Sequence, residues 1–93
     1  MLEIRTEGDT VYLKGRLDAS QVQSANAVLA EAKGDTVLDL SELEYLSSAG
    51  IGVLIATLKH LRDGGGSLRI RNAPPRILNL FQLAGLDRVL EIE

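Results

Sequence analysis

Apolar residues recur at every second position near the start of the chain, at Leu2 and Ile4 and again at Val11 and Leu13. That is the period of half-buried strands. Glu7-Gly8-Asp9 between the two runs has turn composition, so residues 2–6 and 10–17 are predicted to form a hairpin. At Asp18-Ala19-Ser20 the period changes. Val22, Ala25, Leu29 and Ala32 follow helical spacing, with Asp18 or Ser20 as N-cap and Gly34 just past the end. Thr36 to Leu40 reads as a short strand interior to a sheet. Ile51, Leu54, Ile55, Leu58 and Leu61 then fall on one face of a second helix, which Asp63-Gly64-Gly65-Gly66 stops. Ser67 to Asn72 alternates again as a strand. Ala73-Pro74-Pro75 opens a third helix, striped by Ile77, Leu80, Phe81 and Ala84 and ended by Gly85. Arg88 to Ile92 makes a last short strand.

The predicted order is β-β-α-β-α-β-α-β. Strands alternating with helices imply an α/β fold, a mixed β-sheet with helices packed on its parallel pairs. Ninety-three residues leave room for one domain, residues 1–93. Aromatic residues are so few that the core must be aliphatic. A net charge of −3 argues against direct nucleic-acid binding, which needs a concentrated basic face. The longest apolar run, around Ile51 to Leu58, is far too short to insert in a membrane. Glu3 and Arg5 interrupt any signal-peptide plan, and there is no cysteine for a disulfide or thiolate metal site. A cytoplasmic protein is the simplest expectation.

Catalytic chemistry is scarce. His60 is the only histidine and is expected at the surface; without a partner it builds no common metal site. Pairing it with Ser47 or Ser48 in a triad fails on length. Twelve residues of helix at about 1.5 Å each hold Ser48 and His60 roughly 18 Å apart. Gly50-Ile51-Gly52 begins like a phosphate loop but lacks both the third glycine and a following Lys-Ser/Thr pair. Glu42 and Glu44 read as a solvated edge. No cofactor and no metal are expected.

That leaves Leu43-Glu44-Tyr45-Leu46-Ser47-Ser48-Ala49-Gly50-Ile51-Gly52, where a strand-like run gives way to a helix. One serine before a helix accepts hydrogen bonds from its free amides, a contribution of about 1 kcal/mol. A hydroxyl in the same place is exposed. If phosphorylated, it gains about −1.5 to −2 charges, which the amides and dipole of the helix start favour. Gly50 and Gly52 are expected to allow close packing on a neighbouring strand.

Four blocks in order resemble the STAS domain family, and within it the bacterial anti-sigma factor antagonists. "LKGRLDAS" resembles the family's G-E-[LI]-D turn, and "VLDLSELEYLSSAGIGVL" its D-L-S…D-S-[STA]-G-[LI]-G signature. "GGSLRIRN" and "LFQLAGLDRVLEI" resemble two later blocks. The resemblance covers nearly the whole chain. It carries the family's phosphoacceptor onto Ser48, with Ala49 in the small position before Gly50. Ser47 stands where relatives often have Asp, which makes it the helix cap. Asp18 falls on a position linked to partner recognition, and Arg16 replaces the usual Glu beside it. Many relatives add a final helix, of which this chain is expected to keep at most a trace.

The resemblance implies a partner switch and not an enzyme. The unphosphorylated domain would bind an anti-sigma factor serine kinase through Asp18, Ser47, Ser48, Ala49 and Gly50, and free the kinase's client. Phosphorylation of Ser48 would release it, and a PP2C-type phosphatase would reset it. The domain is expected as a monomer or weak homodimer. The alternative is a STAS scaffold subunit of a membrane transporter complex, bound to an ABC-type ATPase and not phosphorylated. A nucleotide-binding domain or small enzyme is a third class, without a credible base or phosphate loop.

Overall fold

A computed structural model describes residues 1–93. The elements are β1 (Leu2–Glu7), β2 (Thr10–Leu17), α1 (Val22–Leu29), β3 (Asp35–Leu46), α2 (Ser48–Asp63), β4 (Ser67–Arg71), α3 (Pro75–Leu83) and β5 (Glu91–Ile92). This is the order the hydrophobic pattern predicts. The sheet order follows the chain, β1-β2-β3-β4-β5. β1 is antiparallel to β2, and the remaining neighbours are parallel.

Strand order equal to chain order means that every crossover steps in one direction. Right-handed crossovers then place all three helices on one face of the sheet. The core confirms it. Leu29 of α1, Leu54 of α2 and Phe81 of α3 share one cluster of 19 buried residues with Leu13, Leu38 and Ile70 of the strands. Apart from Phe81 the cluster is aliphatic. The other face has no helix and carries charge in register. Arg5 pairs across to Tyr12, Tyr12 to Asp39, and Asp39 to Arg71.

Several boundaries differ from the sequence reading, each for a local reason. β3 does not stop at Leu40 but runs twelve residues to Leu46. Its pairing with β2 shifts between Tyr12 and Lys14 and again between Gly15 and Arg16. At each shift β3 spends one residue more than β2, as in a bulge. Leu40, Leu43 and Leu46 therefore reach the core at intervals of three, and the strand loses its period of two. α1 ends at Leu29, and Ala30–Ala32 continue only as turns, so Gly34 is not its cap. Gly34 instead bends the chain with φ 73° and accepts Ser67 N–H at 3.3 Å. On α2, Ile55 faces solvent, and Thr57 is buried in its place with its hydroxyl on Val53 C=O at 2.8 Å. A buried threonine disguises that face, because its hydroxyl is satisfied within the helix. Ala84 is exposed beyond the end of α3. After Gly85, Leu86–Arg88 forms a 3-10 turn, which shortens the last strand to Glu91–Ile92.

Candidate functional site

The parallel strands point their C-terminal ends at the starts of the helices. β3 therefore ends at Leu46, and α2 begins two residues later. Ser47 between them is extended, with φ −89° and ψ 172°. Its hydroxyl accepts Gly50 N–H at 3.1 Å, the bond expected of an N-cap. Its own N–H donates to Leu17 C=O at 3.0 Å, which ties the helix start to the end of β2. Ser48 is the first residue of α2 and is exposed. No protein group engages its hydroxyl. The two adjacent serines are thus separated: Ser47 holds the helix and Ser48 presents an available nucleophilic oxygen.

The glycines are also separated. Gly50 is buried, and a Cβ there would lie 2.6 Å from Leu17 O and 2.7 Å from Leu46 Cδ1. The signature needs glycine at this position because strand backbone passes directly beneath. Gly52 has nothing within 4 Å, so the close packing expected of it does not occur. It lies exposed one helical turn from Ser48. Gly52→Ala is accordingly expected to raise stability by about 0.5–1 kcal/mol, the helix-interior cost of glycine. A lower urea midpoint for that variant would show that the space is not open.

Asp18 follows Leu17 in the chain and so sits beside the start of α2. It caps a 3-10 turn at Ala19–Gln21 through a capping box. Its Oδ1 accepts Ser20 Oγ at 2.6 Å and Ser20 N–H at 2.9 Å. The Ser20 hydroxyl and then the Ser20 amide, with a lesser pull from Arg16, hold its carboxyl below the usual range against the opposing effect of burial. Asp18 Oδ2 lies 3.9 Å from Arg16 Nε, and the Arg16 guanidinium stacks on Tyr45 at 4.3 Å.

Tyr45 opens onto a groove of about 470 Å³ between the end of β3, the start of α2 and α3. Ser47 and Ser48 line one side, and Arg76, Ile77 and Leu80 the other. Arg76 Nη2 donates to Glu44 C=O at 3.1 Å. Sequence reasoning missed this far wall. Its one local signal is a cation in the first turn of a helix, where the dipole disfavours it. His60 is exposed near the other end of α2, with Nε2 3.0 Å from Ala32 O. It belongs to no site with Ser48. No three His, Cys, Asp or Glu side chains converge as a metal-ligand set, and no helix is long and apolar enough to cross a membrane.

The family model described as "Mlab, STAS domain" matches residues 1–91. The anti-sigma-B factor antagonist of Bacillus subtilis (strain 168) is 36% identical over 85 residues, covering 88% of this chain and 78% of that protein. A putative anti-sigma factor antagonist of Bordetella bronchiseptica, BtrV, is 34% identical over 86% of this chain and 72% of its own. The unphosphorylated form of the anti-sigma factor antagonist SpoIIAA superimposes with a TM-score of 0.80 at 20% identity, over all of this chain and 88% of that one. A chain of the Acinetobacter MlaFEDB complex does so with a TM-score of 0.71 at 21% identity, over 92% of this chain and 95% of that one. Together with the sheet order and the cap-and-hydroxyl pair at the start of α2, the match over residues 1–91 shows that this chain belongs to the STAS domain family.

Proposed function

We propose that this chain is an anti-sigma factor antagonist whose binding to a serine kinase is switched by phosphorylation of Ser48. The observation that carries the reading is the exposed, unengaged Ser48 hydroxyl at the start of α2, on a domain whose relatives are named anti-sigma factor antagonists. The unphosphorylated domain binds the anti-sigma kinase. Within the kinase, Ser48 Oγ attacks the γ-phosphorus of ATP, the bond to the β-phosphate oxygen breaks, ADP leaves and the hydroxyl proton passes to the kinase. The phosphate adds about −1.5 to −2 charges to the docking face. It also enlarges a side chain that the kinase had enclosed, so the domain is released. A PP2C-type phosphatase removes the phosphate. The domain acts as ligand and substrate and not as an enzyme, and this reading places it in the cytoplasm with its partners.

Asp18, Ser47, Ser48 and Ala49 form the docking surface in this reading. Gly50 acts through shape, since it is buried against Leu17 and lets the helix start sit low. With kinase and ATP the protein is expected to gain one phosphate by mass spectrometry. Ser48→Ala abolishes the gain. Ser47→Ala keeps it while losing about 1 kcal/mol of stability with its cap. Ser48→Asp weakens kinase binding about tenfold or more. Equal modification of Ser48→Ala and the unsubstituted chain would sink the assignment.

A second reading, a subunit of a membrane transporter complex, is favoured by the family model's description, which shares its name with the ATP-bound Mla complex. Ser47 in place of Asp beside Ser48 is compatible with it. Co-purification with an ABC-type ATPase, with no phosphate on Ser48 in cells, selects this reading over the first.

A further inference from the structure

We propose that Arg76 is a phosphate clamp: once Ser48 is phosphorylated, the Arg76 guanidinium leaves the Glu44 carbonyl and pairs with the phosphate across the groove. The inference rests on the reading of Ser48 as phosphoacceptor. Both residues line the same groove, and the Arg76 side chain already spans it from α3 to β3.

Arg76 is uncommitted in the unmodified protein. It is exposed, makes no ion pair, and has one hydrogen bond, to a neutral carbonyl. A guanidinium has five N–H donors, so most of its capacity is unused. The other cation near the groove, Arg16, is already engaged by Asp18 and the Tyr45 ring. Arg76 also stands in the first turn of α3, where it works against the helix dipole. A dianion alongside reverses that penalty. Exchanging one neutral acceptor for phosphate oxygens replaces a weak bond by charge-assisted, bidentate ones. Glu44 is the other charged residue of the groove, which leaves Arg76 as its one cation.

The clamp has a consequence for the switch. A phosphate drawn toward Arg76 occupies part of the groove beside the docking surface and holds its charge there. Release then follows from repulsion at a fixed place.

The test uses the full chain with phosphoserine installed at position 48 during synthesis, so that no kinase is required. The second ionisation of the phosphate is followed by phosphorus NMR against pH. Arg76→Gln is expected to raise it by about 0.5 pH unit or more, because an adjacent cation favours the dianion. Lys59→Gln removes one positive charge roughly 16 Å along α2 and shifts it far less. Equal shifts in the two variants overturn the clamp. If Arg76→Gln does not fold, Arg76→Lys keeps charge and stem but loses the fork. An ionisation in that variant identical to the unsubstituted protein then overturns the bidentate clamp. The titration decides the clamp whatever a kinase assay says of Ser48.

Discussion

Gly50→Ala unfolds at lower urea than the unsubstituted chain, by about 2 kcal/mol. Alanine would gain up to about 1 kcal/mol as a helix former. Against that gain stand two contacts, Leu17 O at 2.6 Å, a backbone atom that no rotamer moves, and Leu46 Cδ1 at 2.7 Å, the end of a side chain packed in the core. The first is backbone at the end of β2 and moves only with its strand. It is also the acceptor for Ser47 N–H, so lifting α2 off β2 weakens the bond that seats the cap. Overpacking by one methyl in such a place costs about 1–3 kcal/mol. The same change at Gly52, two residues on, has the opposite expected sign because nothing lies within 4 Å there. The pair is an internal control on one helix turn. On the proposed role of Ser48, Gly50→Ala is also expected to slow phosphate incorporation beyond what the unfolded fraction explains. Stability at or above that of the unsubstituted chain would refute the close approach.

Where the chain obeys a single period, the sequence is a good guide to this fold. The hairpin, the three helices and the strand at Ser67 all have one buried face and one polar face, and each was legible. Failures occur where a tertiary contact overrides the period. The second half of β3 is not joined in the sequence to the strand at Thr36 to Leu40, because two bulges against β2 move its apolar residues to intervals of three. Ile55 looks like core, yet α2 is rotated so that Thr57 and Gly50 share the buried side with Leu54, Leu58 and Leu61. The candidate site divides in the same way. That a serine caps α2 follows from its place at a helix start, which is local information; the choice of Ser47 as that cap comes from the family resemblance, and Ser47 is the serine that accepts Gly50 N–H. The groove does not follow from local information, since Arg76 and Leu80 reach it only through the β4–α3 crossover. Asp18 was legible as a cap, but its place beside α2 depends on the bond from Ser47 N–H to Leu17 C=O.

The helix-free face of the sheet shows a different kind of dependence. Its charges are not scattered but arranged in rows across the strands. Arg5 stacks on Tyr12 at 4.4 Å, Arg69 pairs with Glu93 at 3.2 Å, and Lys14 approaches Glu42 at 3.8 Å. These pairs are largely exposed, and each contributes little by itself. Asp39 is the exception, for it is only 4% exposed. A single layer of helices leaves this face without a hydrophobic cover. The centre of the sheet is therefore closed by a hydrogen-bonded carboxylate.

Asp39→Ala is expected to cost about 2–4 kcal/mol, as for a buried charge network that loses its acceptor. Asp39 Oδ1 accepts Ser41 N–H at 2.9 Å. Its Oδ2 accepts Arg71 Nε and Nη2, each at 3.3 Å, and Asn72 Nδ2 at 3.0 Å. Ser41 lies next to the first bulge of β3, and Asn72 is the one non-glycine residue with positive φ, 58°. The carboxylate thus fastens two irregular points of neighbouring strands just ahead of the segments that carry Ser48 and Arg76. Burial pushes the Asp39 carboxyl up, but the Ser41, Asn72 and Arg71 hydrogen bonds outweigh it and hold the group below its ordinary 3.8. A folded value below the unfolded one stabilises the protein above the unfolded value, and the gain is lost as pH falls through the folded one. Asp39→Asn keeps the shape without the charge. Its deficit in unfolding free energy is expected to be full at neutral pH and to shrink below about pH 4, where the unsubstituted protein protonates Asp39 as well. Urea titrations of the two proteins between neutral and acid pH measure this directly. Parallel curves across the whole range would show that the charge of Asp39 contributes nothing to the fold.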